Sequence, residues 1–192
     1  SMLLIAGLLN VGITACDKTD ELGGITSTGN MKDADGNMYN TVKIGNQIWM
    51  AENLKTTKYN DGTPIPNIKD NDEWTNLTTG AYCNYDNLES NLGIYGRLYN
   101  WYAVETGKLA PKGWHVPTDD DWTILINYLI DNVYEKGENT IAKALCAKTN
   151  WELSDIAGTP GAAPENNNST GFTALPGGSR SSTNGTFTNI EL

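Results

Sequence analysis

The sequence predicts a single, turn-rich α+β domain, on three observations. Short, loosely alternating apolar runs broken by Gly, Asn and Pro read as strands and hairpins. Residues 122–133 carry one continuous helical stripe. Twenty Gly, nine Tyr and six Trp against two Phe, in 192 residues, describe a loop-rich fold anchored by aromatics and not a helix bundle. That length, less a leader, supplies one domain with its own core and would crowd two.

The first residues read as an address and not as a fold element. Residues 3–13, Leu-Leu-Ile-Ala-Gly-Leu-Leu-Asn-Val-Gly-Ile, form an apolar run too short to cross roughly 30 Å of hydrocarbon but suited to a signal-peptide core. The run ends in Ile13-Thr14-Ala15-Cys16, which resembles the bacterial lipobox: an aliphatic residue, two small ones, then the cysteine that receives diacylglycerol. The small residues give a signal peptidase access to the backbone. Cys16 is therefore the expected lipidation site. Acyl chains contributing about 0.8 kcal/mol per buried CH₂ make the membrane the expected partner, through an anchor and not a span. Ser1-Met2 lacks the Lys or Arg of a leader's positive start, so the sequence is expected to begin inside that leader. Asp17-Lys18-Thr19-Asp20-Glu21 is similar to the acidic export signals of some outer-membrane lipoproteins, and reads equally as a solvated linker. The expected organisation is a signal peptide over 1–15, a lipidated cysteine and flexible tether over 16–30, and one domain over 31–192. The expected location is the outer membrane of a bacterial cell envelope, lipid-anchored and surface-exposed.

Within the domain, Asp35-Gly36-Asn37 marks a turn, residues 39–44 alternate, and Gly45-Asn46 joins them to Gln47-Ile48-Trp49-Met50 as a hairpin. Asp61-Gly62 and Pro64-Ile65-Pro66 impose an irregular segment, because proline cannot donate to a ladder. Residues 80–85 suit a short strand. Tyr95, Leu98, Tyr99 and Tyr102, three and four apart, predict a helix closed by Thr106-Gly107, where glycine takes the left-handed cap. Thr118-Asp119-Asp120-Asp121 resembles a capping box, with a hydroxyl over free N–H groups and three carboxylates at the positive helix end. The helix that starts there aligns Trp122, Leu125, Ile126, Leu129, Ile130 and Val133 on one stripe that must face a core. Ile141, Ala144 and Leu145 predict a shorter third helix, and Asn184-Gly185 a hairpin near the end.

Three stretches together resemble the Fibrobacter succinogenes major paralogous domain, FISUMP. The first is residues 42–55, Val-Lys-Ile-Gly-Asn-Gln-Ile-Trp-Met-Ala-Glu-Asn-Leu-Lys. The second, Tyr95-Gly96-Arg97-Leu98-Tyr99-Asn100-Trp101-Tyr102-Ala103-Val104, runs on to residues 110–122, Ala-Pro-Lys-Gly-Trp-His-Val-Pro-Thr-Asp-Asp-Asp-Trp. The third is Ser169-Thr170-Gly171-Phe172-Thr173-Ala174-Leu175-Pro176-Gly177-Gly178. Order and spacing agree across residues 33–187. The resemblance implies an extracytoplasmic bacterial protein, often a lipoprotein, of undetermined biochemical role. A more distant likeness, in the approach to Pro-Thr-acidic-acidic-acidic-Trp, is to the formylglycine-generating enzyme group. It implies a C-type-lectin-like variant: a twisted antiparallel sheet with two to three flanking helices and long loops. The family pattern also implies two further strands, one Trp-Trp-Ser-Ser-Thr-like and one Val-Arg-Cys-Val-like, beyond Leu192, so an exposed sheet edge is expected here.

The chemistry-bearing residues are few. With 13 Lys+Arg against 23 Asp+Glu and a net charge of −10, the surface repels phosphate backbones, which excludes nucleic acid as a partner. His115 is the single histidine, placed between Trp114 and Val116 in an expected strand, with no nucleophile or second ligand at useful spacing. It reads as structural. Asp119, Asp120 and Asp121 invite calcium, but consecutive helix residues point apart and capping already accounts for them. Asp33, Asp35, Gly36 and Asn37 imitate the opening of an EF-hand loop whose twelfth position would be Ile44 and not Glu. Neither a metal, a cofactor nor a catalytic residue is expected. Cys83 and Cys146 are the disulfide candidates of an oxidising compartment, although the family pattern matches the Cys83 position better to a C-terminal cysteine. The active cysteines of the formylglycine-generating group have no counterpart here, so the distant likeness brings no activity with it. The function that follows is a non-catalytic binding or adhesion module for a glycan or surface-protein ligand. Trp49, Trp101, Trp114 and Trp122, inside the family stretches, are expected in the core. The rivals are an enzyme acting on extracellular polymers and a purely structural envelope protein.

Overall fold

The structure, a computed structural model, describes residues 25–132 and 140–191. Cys16, the signal peptide and Val133 lie outside the described residues. The domain mixes short helices with small antiparallel sheets. The first sheet takes strands β1 (Ile25–Lys32), β2 (Met38–Ile44) and β3 (Gln47–Met50) in the order β1-β2-β3. Residues 25–30, expected in the tether, are thus the start of a strand that runs antiparallel to β2. A two-residue turn closes β2 on β3. Gly45 sits there at φ +60°, and a Cβ would stand 2.8 Å from the Tyr128 ring, so the turn demands glycine for both conformation and space.

Parity along β2 explains the layering. Tyr39 and Thr41 face one side, Val42 and Ile44 the other, and all four are buried. Tyr39 and Met50 join a cluster with Leu54, Tyr59, Ile65, Tyr82, Tyr99 and Leu109. Val42, Ile44 and Trp49 join Leu125, Leu129, Cys146 and Phe172 in a second. The hairpin is therefore a partition between two cores. The turn from β1 to β2 is welded by Asp33, whose carboxylate accepts from the backbone N–H groups of Asp35 and Asn37 (both 2.9 Å), from the Asn37 amide (2.8 Å) and from the Tyr39 hydroxyl (2.6 Å). The stretch that imitates a calcium loop is a turn with its carboxylate fully engaged.

Next come α1 (Asn71–Thr75), β4 (Tyr82–Cys83), α2 (Leu92–Tyr95), β5 (Leu98–Tyr99) and α3 (Trp101–Glu105), with β4 and β5 paired antiparallel. This corrects the single helix read through Tyr95, Leu98, Tyr99 and Tyr102. Gly96 breaks it at φ +68° and ψ −147°, where a Cβ would approach the Leu54 carbonyl to 2.7 Å. Arg97 N–H donates to that carbonyl, and the chain extends to pair with β4 before Asn100 caps a new helix. Spacing alone could not separate one helix from a helix–strand–helix, because Leu98 and Tyr99 serve either pattern.

α4 (Asp119–Asn132) and α5 (Thr140–Leu145) follow. The capping box forms as read: Asp121 N–H donates to Thr118 Oγ1 (3.2 Å) while Asp121 Oδ2 accepts from Thr118 N–H (2.8 Å). The buried face of α4 is narrower than its stripe. Leu125 and Leu129 are fully buried and Trp122 packs beside them, but Ile126 is exposed. The last strands, β6 (Gly177–Arg180) and β7 (Phe187–Ile190), make the expected hairpin. Among the described residues the antiparallel pairing is divided among three small sheets and not gathered into one. Arg180 pins this hairpin to the domain, its guanidinium between the Trp74 and Phe187 rings and donating to the carbonyls of Ile68, Lys69, Asp70 and Gly185.

Cys83 and Cys146 do not form the candidate disulfide. Both are free and buried, in different clusters. Burial pushes the Cys83 thiol up, against Arg180 nearby, and pushes Cys146 up to about 11, against the Lys143 charge. Among the described residues no helix is long and apolar enough to cross a membrane.

Candidate functional site

The residues singled out for chemistry are dispersed by the fold. His115 lies in an irregular segment and not a strand; its Nε2 meets Asp121 Oδ2 at 2.9 Å, beside the α4 cap. Burial raises the Asp121 pKa, but hydrogen bonds from Thr118 and His115 outweigh it and hold the carboxyl below its usual range. Asp119 and Asp120 are exposed on the first turn. No group of three or more His, Cys, Asp or Glu that could hold a metal exists among the described residues.

What the sequence missed is Trp101. Its exposure is 65%, and that of the adjacent Tyr102 is 41%, whereas Trp49, expected in the same core, is 1% exposed. The reason is the new register of α3. Starting at Asn100, the helix turns Ala103 inward to full burial and so presents Trp101 and Tyr102 to solvent. Asn100 as a capping residue was the available signal.

Tyr102 forms one wall of an open cleft of about 400 Å³, with Glu105 and Thr106 from α3 and its end and with Thr78, Thr79 and Gly80 opposite. The cleft is a shallow depression, widely open to solvent. Trp101 stands one helical turn before Glu105 on α3, outside the residues that line the cleft. The two walls are stitched by Asn100. Its amide donates to the Thr79 carbonyl (2.8 Å), and its side-chain oxygen accepts from Ala81 N–H (2.9 Å) and Ala103 N–H (3.0 Å). Gly80 permits the close approach, since a Cβ there would meet the Tyr59 hydroxyl at 2.0 Å and Ala103 Cα at 2.9 Å. Burial, then the Asp61 charge, raises the Tyr59 pKa. The cation nearest in sequence, Lys108, holds Asp61 at 2.9 Å. By contrast, the Thr78 and Thr79 hydroxyls, the Tyr102 hydroxyl and the Glu105 carboxylate have no partner among the described residues. The cleft walls are joined through Asn100, and the polar side chains facing outward are unengaged among the described residues.

A second, smaller cleft of about 150 Å³ is lined by Glu52, Asn53, Lys55, Ile94, Gly96 and Leu175, among others. All three of the stretches quoted for the family resemblance meet there. A family model described as the Fibrobacter succinogenes major domain matches residues 42–191. The chain belongs to that family. No curated protein and no solved structure matches it. The FISUMP stretches converge where the chain is joined to itself: Asn53 donates to the Tyr95 carbonyl (2.9 Å), and Lys55 pairs with Glu52 (3.3 Å) and lies over the Tyr39 ring. The polar side chains of the smaller cleft are engaged inside the domain, whereas those of the α3 cleft are not, and the α3 cleft is the candidate site of this FISUMP domain.

Proposed function

We propose that this FISUMP domain is the ligand-binding part of a lipid-anchored cell-envelope protein and that it engages glycans, without catalysis, at the cleft between residues 78–80 and α3. The observation that carries the reading is the 65% exposure of Trp101, next to a cleft lined by four unengaged polar side chains, Thr78, Thr79, Tyr102 and Glu105. An exposed indole offers a flat apolar face on which a sugar ring can stack. Pyranose rings present C–H faces that cover such rings and hydroxyls that match Thr and Glu. A single carboxylate, Glu105, lines the cleft, whereas glycoside hydrolysis uses two about 5–9.5 Å apart, and this favours binding over turnover. The α+β architecture with small antiparallel sheets is compatible with a C-type-lectin-like variant. The short apolar run ending at Ile13-Thr14-Ala15-Cys16 supports display from an outer membrane through a lipidated Cys16.

The test is a glycan array probed with the wild-type chain and with Trp101→Ala. Binding that Trp101→Ala abolishes is the expected outcome, and retention of no glycan by the wild type defeats the reading. Mass spectrometry of the protein processed in a Gram-negative host tests the anchor: cleavage before Cys16 with added acyl mass is expected, and an unmodified Cys16 thiol in a soluble product would refute it.

A further inference from the structure

Asn184-Gly185 is the one Asn-Gly pair in the sequence, and it sits at the tip of the last hairpin, between β6 and β7, with the Asn184 side chain exposed. Such a pair is chemically labile, because glycine has no side chain to keep its backbone nitrogen from the preceding carboxamide. The Gly185 nitrogen attacks Asn184 Cγ, its proton passes to the side-chain amide, that C–N bond breaks and ammonia leaves, closing a succinimide ring. Water then opens the ring at either carbonyl. Opening at Cγ gives aspartate with the main chain unchanged. Opening at the backbone carbonyl routes the main chain through Cβ and Cγ and gives isoaspartate, with one extra backbone atom. Water is the only co-reactant.

The folded hairpin opposes the first step. Gly185 N–H donates to the Ser181 carbonyl (3.1 Å), so the attacking nitrogen is held by the proton it must lose. Asn184 Oδ1 accepts from Thr186 Oγ1 (2.7 Å) and from Thr186 N–H (3.1 Å), which fixes the carboxamide. The product matters because of what Gly185 touches. Gly185 is buried against Asn71, where a Cβ would stand 2.7 Å from Asn71 Cβ, and its carbonyl accepts from Arg180 Nε (2.9 Å). Arg180 in turn fastens the hairpin to residues 68–71. Behind that fastening lies Cys83, buried with Trp74 and Ala81, with Phe187 of β7 packed against them. We propose that Asn184 is a deamidation site that reacts when the hairpin opens, and that its isoaspartyl product unfastens β6 and β7 and uncovers the Cys83 thiol. The extra backbone atom displaces Gly185 from Asn71 and from Arg180 together, whereas aspartate keeps the main chain and both acceptor bonds to Thr186. None of these residues lines the α3 cleft, so glycan binding is not involved.

The test ages the full chain in mildly alkaline buffer, native and in urea, and follows residue 184 by peptide mass spectrometry, with isoaspartyl methyltransferase marking the isoaspartyl fraction. Deamidation about tenfold or more slower in the native chain than in urea is expected, because the native reaction waits on local opening. Iodoacetamide, which a buried thiol resists, should then label Cys83 in the native isoaspartyl fraction, while Cys146, buried in the other core, stays protected. Fresh Asn184→Asp should keep Cys83 protected, and Asn184→Ser, which has no carboxamide, should age without uncovering it. Both replace an exposed tip residue. Equal rates in the native chain and in urea, or no deamidation in urea, would overturn the assignment of the site. A Cys83 as protected in the isoaspartyl fraction as in fresh protein would overturn the unfastening. Labelling of Cys83 in fresh Asn184→Asp or in aged Asn184→Ser would overturn the part given to the isoaspartyl backbone.

Discussion

The two clefts are built from the same kinds of residue and differ in what those residues are doing. Around Gly96, the Asn53 amide, the Lys55 ammonium and the Leu54 carbonyl all have partners inside the domain. Around α3, one side chain, Asn100, does the joining, and the groups facing outward are left without partners among the described residues. Dense family resemblance thus coincides with the place where β3, α2 and the segment before β6 are fastened together. Recognition is assigned to the place where the fold leaves aromatic and polar groups uncommitted. Engaged polar groups report architecture, because an unpaired buried group costs about 1–3 kcal/mol and is seldom left so. Exposed polar groups carry no such cost, because water satisfies them, and they stay available to a ligand of the kind proposed above.

Substitutions separate these roles by size of effect. Gly96→Ala should be the most damaging, since it places a Cβ 2.7 Å from the Leu54 carbonyl at φ +68°. The expected loss is about 3 kcal/mol in urea unfolding, and a loss under about 1 kcal/mol would mean the junction yields easily. Asn100→Ala comes next. It removes three hydrogen bonds that hold the α3 cleft walls together and should cost about 2 kcal/mol, with glycan affinity falling as the walls separate. Unchanged affinity would show that the frame is not needed for binding.

Trp101→Ala should leave stability within about 0.5 kcal/mol of wild type, as expected of an exposed side chain, while binding collapses. A large loss of stability would make Trp101 a packing residue and erase the contrast between the clefts. The smallest effect belongs to the α4 cap, remote from the comparison and useful as its control. Because the Asp121 pKa is lowered on folding, its ionised form contributes stability that is present above the unfolded value of about 3.9. That contribution is lost as pH falls through the lowered folded value. Stability measured from pH 5 downward should therefore decline in the wild type and decline less in Asp121→Asn, which lacks the contribution throughout. Parallel curves for the two proteins would argue that the cap does not titrate.

Local signals determined much of the fold, and they did so wherever one short stretch contained its own reason. Gly45-Asn46 specifies a two-residue turn by glycine's conformational freedom, Thr118 to Asp121 specifies a helix start by reciprocal hydrogen bonds, and Asn184-Gly185 lies in the last hairpin. The three quoted stretches also identified the family. Tertiary structure decided what depends on partners far away in the chain. Leu98 and Tyr99 became a strand because Tyr82 and Cys83 lie alongside them, and the helix that spacing suggested was cut at Gly96 by contact with Asn53 and Leu54. The strand over Ile25–Lys32 exists through its pairing with β2, which its Gly-, Thr- and Ser-rich sequence does not announce. Cys83 and Cys146 went to separate clusters, so their pairing was never a local matter. Trp101 is the clearest case: an indole's own chemistry favours burial, and only the register imposed by the Asn100 cap and the burial of Ala103 turns it into water. Sequence carries interactions over three or four residues, whereas exposure is set by whatever the rest of the chain leaves uncovered.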